Sequence, residues 1–248
     1  MSQSKAFILH LASAFQRRPQ VDRLRASLPF PSEIVDAVDG AQLSAEEIDE
    51  VYARQLHRPR YSFALTRPEI GVFLSHRAAW RRIVDEGLDF AAIFEDDAEI
   101  DAAGFAEVCA FIAETRDDWR YVLAPAPQTR IAGAVVRRKN GVALIRPGNP
   151  PLRAIAQFVS NESARKLLAA TEKFDRPIDT FLQMSWVTGV ELLSLSPSAV
   201  RDASQDIGGS TIKRKQLSFA ERIHHELARP LYRAQVRAWH AFSKKSSD

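Results

Sequence analysis

Apolar residues fall along this chain in two rhythms. "AFILHLA" from Ala6, "LDFAAIF" from Leu88, "WRYVLAP" from Trp119, "AIAQFVS" from Ala154 and "VELLSL" from Val190 are short runs with little alternation. That is the pattern of strands covered on both faces. Between them apolar positions recur three or four apart, as at Val21, Leu24 and Leu28, and predict amphipathic helices. "EIVDAVDG" reads as a second strand running into a turn at Asp39-Gly40. Ser44 with Glu47 and Thr66 with Glu69 are capping-box pairs, in which each side chain satisfies an unpaired amide of a first helical turn. The first predicts a helix through about Gln55. The second, with Pro68 in its first turn, predicts one that ends at Gly87. A helix over about Gly104 to Thr115 follows. "AVVRRKNGVALI" predicts a hairpin on Asn140-Gly141, and Ser160 caps a helix through "NESARKLLAATEKF". A short helix from about Ile178 completes the set. Strands alternating with helices, plus one hairpin, define an α/β fold: a single, mostly parallel sheet sandwiched by helices.

Length and charge refine this. With 248 residues the chain is large enough for one sizeable domain. Its only cysteine, Cys109, excludes an intramolecular disulfide and a cysteine-rich zinc site, and fits a reducing, cytoplasmic compartment. "KAFILHLASAF" imitates a signal peptide, but His10 interrupts the apolar stretch and Arg17-Arg18-Pro19 follows at once, so a first buried strand is expected there. From Ile212 onward nine Lys or Arg face three acids, a balance of +6 that leaves −3 on the rest of the chain. The chain therefore divides into a main domain over 1–212 and a basic amphipathic helical tail over 213–248, which Pro230 splits into two helices. The basicity belongs to the tail and says little about what the main domain binds; no nucleic-acid partner is expected. The tail, with Trp239 and Phe242 among its basic residues, suits packing on the core or peripheral contact with an anionic inner membrane.

The chemistry concentrates at "FEDDAEI". Glu95, Asp96 and Asp97 stand together at the end of an apolar strand, and ligands of open α/β sheets bind beyond the carboxyl ends of strands. Three repelling carboxylates there become tolerable when a divalent cation neutralises them. Oxygen ligands favour Mg²⁺ or Mn²⁺, which draws further ligands from substrate phosphates. A solvated acidic loop is the alternative. Asp39 could meet a nucleoside or bond its own backbone in the turn. His76, one helical turn from Trp80, is either a buried histidine or a group near a bound sugar. Glu69 has its explanation in the capping box. Asp179, at the start of a helix, is the candidate general base, with Asp175 its weaker neighbour.

These residues carry a resemblance. "RPEIGVFLSHRAAWRRIVDEGLDFAAIFEDDAEI", Arg67 to Ile100, resembles glycosyltransferase family 25 of the lipopolysaccharide-biosynthesis galactosyltransferase type: Glu69-Ile70-Gly71, Leu74-Ser75-His76, Trp80 and Glu95-Asp96-Asp97 occur in the family's order. "DAVDG", "QFVSNESARKLL", "RPIDTFLQ" and "GGSTI" extend it to roughly Ala6 through Ile212. The resemblance implies a GT-A-like (Rossmann-like) fold and a UDP-sugar donor, with Glu95 and Asp97 on the metal. Asp39, His76, Asp96 and Arg17 would then contact the donor. It implies an inverting transfer of a sugar such as galactose to a lipopolysaccharide or oligosaccharide acceptor, with Asp179 as base. The loop after the first strand, "LHLASAFQRRP", departs from the family's Asn-Leu-Asp-Arg. A Mg²⁺-dependent phosphoryl-transfer enzyme and a non-catalytic GT-A-like binding protein are the competing classes. The first lacks a P-loop.

Overall fold

The computed structural model describes residues 4–126, 131–207 and 228–240. Eight strands form one sheet in the order β2-β1-β3-β8-β5-β9-β7-β6, made of β1 (Ser4–His10), β2 (Ser32–Asp36), β3 (Phe90–Glu95), β5 (Tyr121–Leu123), β6 (Gly133–Lys139), β7 (Val142–Pro147), β8 (Ala156–Ser160) and β9 (Leu192–Ser196). A second, two-stranded sheet pairs β4 (Ala98–Ile100) with β10 (Val200–Asp202).

The single sheet and its flanking helices agree with the apolar patterning, but the sheet is mixed rather than mostly parallel. β1 pairs in parallel with β2 and β3, and β5 with β9. The insertion of β8 antiparallel between β3 and β5, and the antiparallel run β9-β7-β6, make up the rest. A run such as "AQFVS" is apolar because both its faces are covered, and that holds for either strand direction.

Apolar clusters lie on both faces. On one, α3 (Arg67–Asp85), α5 (Asn161–Ala170) and α6 (Ile178–Leu182) close over the sheet. There Phe73 stacks on Phe174 with ring centroids 3.8 Å apart. On the other, α1 (Arg18–Ser27) and α4 (Ala102–Glu114) cover Phe94, Phe158 and Trp119. Both capping boxes form, Ser44 opening α2 (Ala45–Val51) and Thr66 opening α3. α2 stops short of Gln55 because Tyr52 turns extended and bridges to Phe174; the Phe174 amide donates to Val51 O (2.9 Å). Long-range pairing there outweighs helical propensity. Asn140 and Gly141 both adopt positive φ, +47° and +83°, as a tight hairpin turn demands.

Of the two tail helices, the first, expected over 219–228, lies outside the described residues. The second is present over 228–240, with Pro230 in its first turn. We label it α8. It packs on the main body through Tyr232, Val236 and His240, which are buried, and through a Trp239–Trp186 stack at 5.8 Å. Beneath it the wholly buried Arg176 donates to the Tyr232 hydroxyl (2.7 Å), to both Asp175 oxygens (2.7 and 2.9 Å) and to the carbonyls of His57 and Pro59 (3.1 Å each). Tyr232→Phe removes one hydrogen bond from a buried cation and should lower stability by about 1.5–3 kcal/mol. A thermal melt checks this, and an unchanged melt would show that Arg176 does not use α8 as a partner.

Candidate active site

The carboxyl ends of β1, β2 and β3 open into a cleft of about 700 Å³ whose lining includes Arg17, Asp39, His76, Glu95, Asp96, Asp97 and Asp179. The seven residues to which the resemblance gives a role in the site meet there. Asp175 does not line the cleft; it serves Arg176.

Two glycines bring the walls together. A Cβ at Gly40 would sit 1.8 Å from Arg67 O, and one at Gly71 would lie 2.5 Å from Val38 O and 2.7 Å from Gly40 N. The loop after β2 therefore rests directly on α3. Ser75 pins it, accepting from Val38 N–H (2.8 Å) while donating to Gly71 O (2.7 Å). Asp39 is held by an internal turn bond, its Oδ1 accepting from Ala41 N–H (3.0 Å), and still faces the cleft. Gly71→Ala would press backbone against backbone and should cost about 1–3 kcal/mol in a denaturant melt. A neutral result would mean that the loop can yield.

The acid triplet divides its work. Asp96 is buried between Arg17, whose Nη1 donates to Oδ1, and His10, whose Nδ1 lies 3.1 Å from Oδ2. Each Asp96 oxygen already accepts a bond, so Asp96 acts as the anchor of Arg17. The resemblance implies donor contacts for both residues, and both line the cleft. Arg17 is itself buried, with Nη1 3.6 Å from Asp97 Oδ2. Glu95 Oε1 is met by His76 Nε2 at 3.2 Å.

Asp97 is the exception. Its Oδ1 is buried with no hydrogen-bond donor among the described residues. Burial, then the charge of Glu95, pushes its carboxyl up to about 7, against the pull of Arg17. An orphaned carboxylate oxygen beside a second carboxylate is what a cation would relieve. No three His, Cys, Asp or Glu side chains among the described residues form a ready cation cage. An ion of the Mg²⁺ or Mn²⁺ type, which takes one or two carboxylates and further ligands from substrate phosphate, is the kind such a pair would suit.

Asp179 shares the cleft. Thr180 donates to its Oδ1 from N–H (2.6 Å) and Oγ1 (3.1 Å), and Arg153 N–H approaches Oδ2 at 3.4 Å. Burial raises its carboxyl above the usual range, these bonds pull it back, and the charge of Glu95 raises it further. Sequence reasoning did not reach the opposite wall: Tyr61 and Phe63, edge to face at 5.4 Å, Tyr232 against Tyr61 at 5.3 Å, and Arg229 over Phe63 at 5.8 Å. These come from a loop and from α8, and no local pattern joins them.

Comparison with known proteins places the chain. Residues 3–132 match the model of glycosyltransferase family 25 (LPS biosynthesis protein), and the chain belongs to that family. It is 34 % identical over 100 residues to procollagen galactosyltransferase 1-A of Xenopus laevis, covering 39 % of this chain and 16 % of that protein. Over 194 residues it is 26 % identical to procollagen galactosyltransferase 2 of Homo sapiens, covering 75 % and 31 %. It is 32 % identical over 100 residues to the inactive glycosyltransferase 25 family member 3 of Mus musculus, covering 39 % and 17 %. The matches span less than a third of these relatives. One of the three is named inactive.

Proposed function

We propose that this chain is an inverting glycosyltransferase. It moves a sugar, galactose by analogy with the named relatives, from a UDP-sugar to a hydroxyl of a lipopolysaccharide or other oligosaccharide acceptor. The observation that carries this reading is the buried, unpartnered Asp97 Oδ1 beside Glu95, in one cleft with Asp39 and Asp179. A bound Mn²⁺ or Mg²⁺ would be held by Glu95, Asp97 and the donor's own phosphates, and would stabilise charge on the departing diphosphate.

The chain's own residues do the rest. Asp39 and the backbone after β2 face the nucleoside, with Gly40 and Gly71 allowing that loop to sit against α3. Arg17, fixed by Asp96, adds positive charge behind the carboxylates. Asp179 takes the acceptor hydroxyl proton as the oxygen bonds to the sugar's anomeric carbon and the bond to UDP breaks, the electron pair leaving with UDP. A carboxyl raised by burial is a stronger base than an exposed one, and Thr180 fixes its direction. The aromatic wall of Tyr61, Phe63 and Tyr232 suits the faces of acceptor sugar rings. Among the described residues no helix is long and apolar enough to cross a membrane. α8 leaves Leu231 and Trp239 exposed beside basic residues, and we place the chain in the cytoplasm with α8 able to touch an anionic membrane surface.

Hydrolysis of a panel of UDP-sugars with and without added Mn²⁺ tests the reading. Cleavage of UDP-galactose that needs the metal supports it. Release of phosphate without sugar would support phosphoryl transfer, and inertness toward every donor and acceptor would leave a binding protein.

A further inference from the structure

His76 is fully buried in the middle of α3, and its two ring nitrogens meet different partners. Nε2 lies 3.2 Å from Glu95 Oε1, and Nδ1 lies 3.0 Å from Gln157 Nε2, on β8. Which nitrogen carries the proton follows from the amide beyond it. Gln157 Nε2 also donates to the Ala154 carbonyl (3.2 Å), while Gln157 Oε1 accepts from the Tyr121 hydroxyl. Turning the amide over would set its oxygen against the Ala154 carbonyl, so the –NH₂ group stays on the side of His76. That group can only donate. His76 Nδ1 must therefore be the bare, accepting nitrogen, which leaves the ring's one proton on Nε2, aimed at Glu95. All three side chains that set this arrangement are buried.

We propose that Tyr121, Gln157 and His76 form a buried hydrogen-bond chain that holds His76 as the neutral Nε2–H tautomer and so aims the Glu95 carboxylate. His76 is a positioning residue: it donates to Oε1 and leaves Oε2 for a ligand in the cleft. The proposal rests on the reading of Glu95 and Asp97 as partners of a cation and a donor diphosphate. It goes beyond that reading by assigning His76 and Gln157, which touch neither, the task of fixing one of those partners. Groups that orient a metal ligand in this way typically contribute about 10–100-fold to metal affinity or activity.

Two measurements on the full chain decide it. The first is the ¹⁵N spectrum of the histidine rings without metal or nucleotide, with His76 assigned by its loss in His76→Gln. A bare Nδ1 and a protonated Nε2 are expected; a proton on Nδ1, alone or with Nε2, overturns the chain of bonds. The second is Mn²⁺ affinity in the presence of UDP, by calorimetry. His76→Phe keeps a ring and removes the donor, and should weaken binding by about 10–100-fold. His76→Gln, whose amide can donate from nearly the Nε2 position, should recover most of that loss. A merely structural histidine predicts the reverse order, since Phe would pack better than Gln, and that order or equal affinities would sink the proposal. If the wild-type chain takes up no Mn²⁺ with UDP, the reading of the cleft fails. The ring-nitrogen measurement then decides the chain of bonds by itself.

Discussion

Asp97→Asn should abolish sugar transfer and, in metal-free protein at pH 8, raise the melting temperature. Both effects have one cause. Asp97 carries a buried oxygen without a donor, and its carboxyl is pushed up to about 7 from an ordinary value near 3.8. Between those values the folded chain keeps a proton that the unfolded chain has released, so stability falls as pH rises through that window. Below it both states are protonated and the penalty is absent; above it the penalty is complete. Asparagine has no charge to bury. At pH 8 it should recover stability on the order of a few kcal/mol, several degrees for a chain of this size, and flatten the pH dependence of the melt. Transfer should fall by about 10³-fold or more, because the neutral amide no longer helps to hold a cation against the leaving diphosphate. Near-normal turnover would remove Asp97 from the mechanism. A lower melting temperature would show that its carboxylate is partnered after all.

Asp179→Asn should lower the turnover rate by about 10²- to 10⁴-fold while UDP binding stays intact. The substitution keeps the shape and the bond from Thr180 N–H but cannot accept the acceptor's proton. Because burial and Glu95 hold the Asp179 carboxyl above the usual range, the wild-type rate should fall on its acid limb at a higher pH than an exposed aspartate would give. The variant should lose that limb. Pre-steady-state transfer with saturating donor separates the steps: a slow chemical step with normal donor affinity supports the base. Lost UDP affinity would instead put Asp179 on the donor's side of the cleft.

What the sequence disclosed was what local chemistry decides. Ser44 with Glu47 and Thr66 with Glu69 close within one turn of helix, so nothing distant can move them. Asn140-Gly141 sets its own turn, and the acids at the end of β3 had to lie at the sheet's carboxyl edge because the strand in front of them is buried. Strand direction was not written in this way: β8 reads as a covered strand whether it runs with β3 or against it. The triplet's division of labour was equally hidden. Asp96 is claimed by Arg17, 79 residues earlier, and Glu95 by His76, which answers to Gln157, 81 residues later. The cleft's aromatic wall and the Arg176 hub under α8 likewise join segments far apart in the chain. Such links depend on the completed packing, and composition or spacing carries no trace of them.

The most direct test of the account is UDP binding to the wild-type chain, measured by calorimetry with and without Mn²⁺ and repeated in Asp97→Asn. The account predicts binding that Mn²⁺ strengthens by at least about tenfold in the wild type, a gain of roughly 1.4 kcal/mol, and no such gain in the variant. UDP affinity indifferent to Mn²⁺, or a metal effect that survives the loss of the Asp97 carboxylate, would contradict it.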